Sequence, residues 1–594
     1  MKEFFKMTCA TIVGLFLFCL ITCIFGMMCI VGMIASGSSV KTVESNSVMV
    51  LNLTGTLEER SQEDISGLSL LTGGGMSSMG LEDVLNAIKK AKDNDDIKGI
   101  YIEAGMFSAD SPASLQAFRR ALLDFKKSGK WIIAYGDSYT QSTYYLASTA
   151  DKVYLNPEGS VDWHGMGAEP MFFKDALAKF GVKMQLTKVG TYKSAPEMFT
   201  ADHMSDANRE QVTVYVNGIW DNFLKDVSAS RKVSVDSLNA YADQMIMLCK
   251  GEELVKKKMI DGLLYTDEVK AEVKKKLGLK DDETINQVTL ADMGNVKDTD
   301  TDGEQIAVYY ACGDIIDGAA QGVTSTGAVI DAQVVCKDLE RLANDDNVKA
   351  VVLRVNSGGG SAYASEQIWH QLEKLKAKKP FVVSMGGMAA SGGYYISCGS
   401  QWIVAEPTTL TGSIGIFGMF PDVSGLLKDK LGVKFDEVKT NKFSNFGTMA
   451  RPFNDEEMSY LDAYINRGYE LFRKRVADGR KQSVDAIEQI AQGRVWLGQD
   501  ALKNKLVDEI GGLEVAVAKA AKLAKLSEYH TTSYPGVPSI FEQLMSKASG
   551  SNGNYLDEAM RSNLGDLYEP VHILLDMKNQ SAIQARVPFV LNLK

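Results

Sequence analysis

Histidine is scarce in this sequence: five residues in 594, at His164, His203, His370, His530 and His572. None stands in a recognisable catalytic setting, and there is neither an HExxH motif nor a pair at ligand spacing, which argues against metal-dependent hydrolysis. Only His370, following a glycine-rich loop by a helical turn or two, lies near a candidate site. Cysteine excludes as much. Of eight, Cys9, Cys19, Cys23 and Cys29 fall in the first 36 residues, and Cys249, Cys312, Cys336 and Cys398 are scattered. Without a CxxC pair neither a zinc site nor a disulfide framework is expected, and no metal or cofactor is called for. A basic cluster is also missing. Acidic residues outnumber basic ones 75 to 64, for a net charge of -11, and Lys256-Lys257-Lys258 reads as a solvated helix face, so nucleic acid is not an expected partner.

Charge is absent altogether from Met7 to Ala35, a run of 29 residues. As a helix this run exceeds the roughly 30 Å hydrocarbon core of a bilayer, so residues 1–36 are expected to anchor the chain in a membrane. Ala35-Ser36-Gly37 offers small residues for a cleavage site, but the apolar run is too long for a signal peptide's core of about 7 to 15 residues. Lys2 and Lys6 favour a cytoplasmic N-terminus and a translocated body.

The remainder is too long for one core and repeats itself with a period near 250 residues. Asp96 to Ile102 parallels Asn347 to Leu353, Tyr144-Tyr145 parallels Tyr394-Tyr395, and Lys179 to Lys183 parallels Lys430 to Lys434. Such a period signals tandem domains rather than a solenoid. They are expected at 46–300 and 305–535, joined by a polar linker, with a C-terminal tail at 536–594 that contains a Ser/Gly/Asn-rich stretch, Ser546 to Asn554. Ala350 to Val355 reads as a buried strand, Ala362 to Lys378 as a helix with Ile368, Leu372 and Leu375 on one face, and Phe381 to Met385 as a second strand. Strand, helix, strand implies parallel pairing and an α/β fold.

Two glycine-rich segments follow these strands, where open α/β folds place their sites: Arg354 to Ser361 and Met385 to Tyr395. Neither ends in the Lys-Ser/Thr of a P-loop. A structural role, glycines allowing a turn and close helix packing, stands beside a functional one. In the functional reading Ser391 begins a helix, and the amides of Gly392 and the facing Gly359 bind an oxyanion. With histidine lacking, a buried lysine can act as base, because desolvation disfavours its charged form.

The run Ser384 to Tyr394, Gly359-Gly360 upstream, Leu410 to Gly418 downstream, Gly190-Thr191-Tyr192-Lys193-Ser194-Ala195 in the first repeat, and Gly493-Arg494-Val495-Trp496 together resemble the long, duplicated form of the signal peptide peptidase (protease IV) family. The resemblance implies a serine endopeptidase with Ser391 as nucleophile, Lys193 as base and Ser413 orienting the lysine amine. It implies two tandem Clp protease/crotonase-like domains after an N-terminal transmembrane helix, assembled as a ring, here a homotetramer. It also implies a place in the inner membrane with the catalytic domains on the periplasmic side, and cleaved signal peptides and other apolar peptides as substrates. Gly358 departs from the family's usual proline. A non-catalytic ring scaffold and a crotonase-like acyl-thioester enzyme are the competing readings. The duplication bears on the carry-over: at offsets of 250 to 251, Lys193 corresponds to Ser444 and Ser391 to Gln141, while the first repeat has Ala104-Gly105-Met106-Phe107 in place of the glycine loop. One site per chain, between the repeats, is expected. Lys442 aligns with Thr191, two residues short of the base.

Overall fold

The computed structural model describes residues 41–61, 78–297, 302–318, 329–536 and 583–586, with a few further residues between 6 and 22. The expected anchor lies mostly outside the described residues, among which no helix is long and apolar enough to cross a membrane. The tail lies outside them too, except for Gly536 and 583–586.

In the first half of the chain, β1 (Ser47–Glu58), β2 (Ser78–Gly80), β3 (Ile97–Ala109), β4 (Trp131–Tyr139) and β5 (Lys152–Val161) precede β6 (Lys183–Lys188), β7 (Gly262–Leu263) and β8 (Gln287–Thr289). All but β6 form one parallel sheet, β2-β1-β3-β4-β5-β7, with β8 also beside β1. In the second half come β9 (Glu304–Cys312), β10 (Asp314–Ile316), β11 (Val329–Asp331), β12 (Val348–Ser357), β13 (Gly359–Ser361), β14 (Phe381–Ala390), β15 (Trp402–Ala405), β16 (Leu410–Gly412), β17 (Phe417–Asp422), β18 (Val495–Leu497), β19 (Glu509–Ile510) and β20 (Tyr529–Tyr534). The path β18-β16-β14-β12-β9-β20 makes the second large sheet, with β15 and β19 added at β14. A third sheet, β11-β10-β13-β21-β17-β6, joins both halves and includes β21 (Ile583–Arg586) from the tail.

The halves repeat one plan. Helix Pro112–Lys126 connects β3 to β4 as helix Ala362–Lys376 connects β12 to β14, and the long helices Asp206–Arg231 and Asp455–Arg480 also correspond. The two crossover helices start at serines: Ser111 accepts from the Ser114 amide and Ser361 from the Ala364 amide, which satisfies N–H groups left over at a helix start. Ile368, Leu372 and Leu375 are buried together, as their spacing requires. β12 is apolar over Val351, Val352 and Leu353, the pattern of a parallel strand covered on both faces.

One element differs from the expectation. β14 does not stop at Met385 but runs through the glycines to Ala390, paired to β12 and then to β16. Gly386 is needed there for close approach: a Cβ on it would stand 2.3 Å from Glu59 Oε1 of the first repeat.

That carboxylate is half of an ion pair joining the repeats. Glu59 receives two hydrogen bonds from the Arg354 guanidinium, at 2.7 and 3.0 Å, with side chains only 5% and 3% exposed. Arg354 also donates to Ser384 Oγ and the Met385 carbonyl. Arg120 of the first repeat grips Glu406 of the second at 2.6 and 2.8 Å. Around these pairs the first repeat's core takes in Ala390, Leu410, Val495 and Leu497. Removing one partner strands a buried charge, so Glu59→Ala is expected to cost about 3 to 5 kcal/mol. The double variant Glu59→Leu/Arg354→Met should lose much less, as compared by denaturation midpoints.

Candidate active site

Ser391 is the first residue beyond β14. β14 is held parallel to β16, with Ala390 opposite Gly412, and the Ser391 amide donates to the Gly412 carbonyl at 2.8 Å. Ser391 caps the helix Gly392–Ser397 with φ 55° and ψ -115°, a conformation that costs a non-glycine residue of order 1 to 3 kcal/mol. The Tyr395 amide donates to the Ser391 carbonyl at 2.8 Å and completes the first turn. β16 ends one residue before Ser413, also at positive φ (49°), whose amide is tied to the Arg494 carbonyl at 2.7 Å. Two strained serines are thus set side by side by adjacent strands.

Lys193 arrives from the first repeat. β6 pairs antiparallel with β17, Lys188 opposite Phe417, and the chain continues over the second repeat with Val189 N–H donating to the Ile416 carbonyl and Tyr192 N–H to the Gln492 carbonyl. Gly493, at φ 77°, lies under the lysine backbone: a Cβ there would stand 2.6 Å from Lys193 N and Cβ. Gln211 Nε2 donates to the Tyr192 carbonyl and Ser194 Oγ, while its Oε1 accepts from the Val495 amide.

Lys193 Nζ consequently lies 2.7 Å from Ser391 Oγ, 3.0 Å from Ser413 Oγ and 3.2 Å from the Ser413 carbonyl oxygen. All three residues have zero exposure. Burial alone pushes the Lys193 amine well below the ordinary lysine value. Its recorded partners are hydroxyls and a carbonyl, which suit a neutral amine.

Gly359 and Gly392 face each other, the position of a Gly359 Cβ lying 2.7 Å from Gly392 N. Gly392 opens its helix, and such first amides have no intrahelical acceptor. The Gly359 amide donates to Ser357 Oγ at 3.1 Å, and that hydroxyl donates to the Gly313 carbonyl at 2.6 Å.

Lys442 is far from this cluster in its environment: it is mostly exposed and paired with Glu456. His370 is exposed on the crossover helix. Gln141 has a structural task where the second repeat has Ser391, accepting from the His164 and Gly165 amides and donating to the Gly165 carbonyl. An open cavity of about 650 Å³ lies beside Gln141, His164, Asn356 and Met388 rather than at Ser391. Sequence reasoning gave no role to Gln492, Gly493 and Arg494, although Gly493 to Trp496 stood within the resemblance. Gln211 had no local signal at all.

This lowering of the Lys193 amine has a consequence for stability. The unfolded chain regains the ordinary value near 10.4, so between the depressed folded value and about pH 10.4 it binds the extra proton, and stability rises with pH in that window. A Lys193→Met variant lacks this term. The wild type should therefore gain stability relative to Lys193→Met as pH is raised from 7 to 10, measured by thermal midpoints. A difference that stays flat would mean that the amine is charged in the fold.

Residues 124–280 and 373–527 match the model of Peptidase family S49, and residues 323–403 match that of Clp protease. The chain is 39% identical over 497 residues to Protease 4 of Salmonella typhi, covering 82% of this chain and 78% of that one. It is 37% identical over 517 residues to Protease 4 of Haemophilus influenzae, covering 84% and 82%. To the chloroplastic serine protease SPPA of Arabidopsis thaliana it is 30% identical over 490 residues, covering 82% and 70%. With the family's domain present twice and relatives alike over most of their length, this chain belongs to Peptidase family S49 and is a serine peptidase.

Proposed function

We propose that the peptidase works through a Ser-Lys dyad split between its repeats, Lys193 from 46–300 and Ser391 from 305–535, with Ser413 as the group that aims the lysine. The observation that carries this reading is the buried amine 2.7 Å from Ser391 Oγ and 3.0 Å from Ser413 Oγ. A neutral amine has one lone pair and two N–H groups. Directed at the hydroxyl and carbonyl oxygens of Ser413, the two N–H groups leave the lone pair for the Ser391 proton.

In the first half-reaction Ser391 Oγ attacks the scissile carbonyl and its proton passes to Lys193 Nζ. The oxyanion is met by the amides of Gly392 and Gly359, each worth a few kcal/mol. For this the Gly359 N–H turns from Ser357 Oγ to the substrate. The lysine ammonium then protonates the departing amine, leaving an acyl ester on Ser391. Water, deprotonated by the regenerated amine, hydrolyses the ester by the same steps.

The same reading extends to apolar peptides, above all cleaved signal peptides, as substrates, cut as an endopeptidase in or at a membrane. It includes anchoring by residues 1–36, catalytic domains on the periplasmic side of an inner membrane, and a homotetrameric ring. The likeness to Protease 4 and to the chloroplastic serine protease SPPA supports the class of enzyme, and the 29 uncharged residues from Met7 to Ala35 support the anchor.

Turnover of an apolar fluorogenic peptide tests the assignments. Ser391→Ala should lose at least about a thousandfold, and Lys193→Arg should be as inactive as Lys193→Ala, because a guanidinium cannot become a neutral base. Lys442→Ala should keep near-normal activity. Substantial turnover by Lys193→Arg would rule out the lysine as base. kcat/KM should rise with pH along one limb set by the Lys193 amine, since protonation removes the lone pair as pH falls. Ser413→Ala should shift that limb or lower the rate.

A further inference from the structure

The first repeat keeps a cleft where the second has its nucleophile. At the offset that aligns Tyr144-Tyr145 with Tyr394-Tyr395, Ser111 corresponds to Ser361 and Gln141 to Ser391, and beside Ser111 and Gln141 lies the cavity of about 650 Å³. The helix of Gln141 is capped by Thr140 at φ -67° and ψ 162°, ordinary extended backbone in place of the strained cap at Ser391. Nothing in the dyad chemistry calls for a space here, yet its size is that of a small-ligand pocket. The lining is apolar at Leu115, Met166, Phe223, Met388 and Leu410, and polar at Asp110, Asp162, His164 and Asn356, so both repeats contribute. Asp162 is paired with His164 at 2.6 Å. Asp110 has no cationic partner among the described residues: it accepts from Asn356 Nδ2 at 2.9 Å and from Ser111 Oγ at 3.3 Å. Arg354, whose charge reaches it, is held by Glu59. Burial, and after it the charge of Glu59, push the Asp110 carboxyl up to about 7. Asn356 Oδ1 also accepts from the Met388 amide at 3.0 Å, which ties Asp110 to β14 of the second repeat.

We infer that this cavity is a second, non-catalytic peptide site, in which Asp110 takes the ammonium group of an apolar peptide, its amino terminus or a lysine side chain, and Leu115, Phe223 and Met388 receive the neighbouring apolar residue. The inference rests on the reading of apolar peptides as substrates. A cation seated there stabilises the Asp110 carboxylate against both burial and Glu59, and a charge-assisted hydrogen bond in such a recess is stronger than one in open water. An apolar run preceded by positive charge, the layout of a signal peptide, carries both features on one chain.

The full chain carrying Ser391→Ala, purified in detergent, is titrated by fluorescence anisotropy with three peptides labelled at the C-terminus: acetylated tetraleucine, the same peptide with one leucine replaced by lysine, and the same peptide without its acetyl group. Salt is kept high enough to screen the surface charge. A cationic peptide should bind about tenfold more tightly than the neutral one, and whichever of the two does so identifies the source of the ammonium. Adding Asp110→Asn should remove this advantage and leave binding of the neutral peptide unchanged. It should not lower the thermal midpoint, since it deletes a carboxylate whose charged form burial disfavours. Ser108→Trp, at an exposed position lining the cavity, should fill the space and remove the advantage as well. The advantage should grow from pH 6 to 8, as Asp110 loses its proton near 7 and gains the charge that holds the cation. Glu59, Arg354, Asp162 and His164 are the other charged or titratable groups around it, and all are kept in Asp110→Asn, so the pH dependence that this variant abolishes belongs to Asp110. An advantage that survives either variant with its thermal midpoint intact overturns the inference, and so does equal binding of the three peptides. Turnover of the neutral peptide by the wild type separates the two levels: no cleavage defeats the apolar-peptide reading, whereas cleavage without any preference for charge defeats only the second site.

Discussion

Everything distinctive in this structure depends on keeping one amine out of water. A lysine ammonium without a counter-charge is costly to bury, and at position 193 burial pushes the amine well below the ordinary lysine value, toward its neutral form. That solution works only if the surroundings offer hydrogen bonds without offering a carboxylate. Ser391 Oγ, Ser413 Oγ and the Ser413 carbonyl do so within 3.2 Å. The strained backbones of Ser391 and Ser413 follow from the same demand, since two strand ends must bring two hydroxyls to one nitrogen.

The amine belongs to one repeat and its partners to the other, so the site is only as good as the contact between repeats. Three kinds of bond keep that contact in register. Main-chain pairing of β6 with β17 delivers the segment. The Gln492-Gly493-Arg494 stretch receives it, with Gln492 accepting from the Tyr192 amide and Arg494 donating to the Tyr192 hydroxyl. Farther off, the ion pairs Glu59–Arg354 and Arg120–Glu406 tie the two repeats together. Duplication made this division tenable. Once one composite site exists, the equivalent positions are free for other uses: Gln141 now holds the His164–Gly165 turn, and Ser444 lies exposed in a loop.

Much of this was legible in the sequence wherever the signal is local. The strand at Ala350, the crossover helix and the strand at Phe381 announce themselves through runs and spacing of apolar residues. The grouping of Ser391, Lys193 and Ser413 came from the resemblance, and the split between repeats from aligning the chain with itself. What local pattern could not reveal was long-range. The extension of β14 through Gly386 was hidden because its glycines answer to Glu59, nearly 330 residues earlier in the chain. Gln211 and Gln492 looked like any surface glutamine until their backbone partners, distant in sequence, were in place. β21 is four residues long, too short for a periodicity to register, and its identity as a strand derives wholly from β13 and β17.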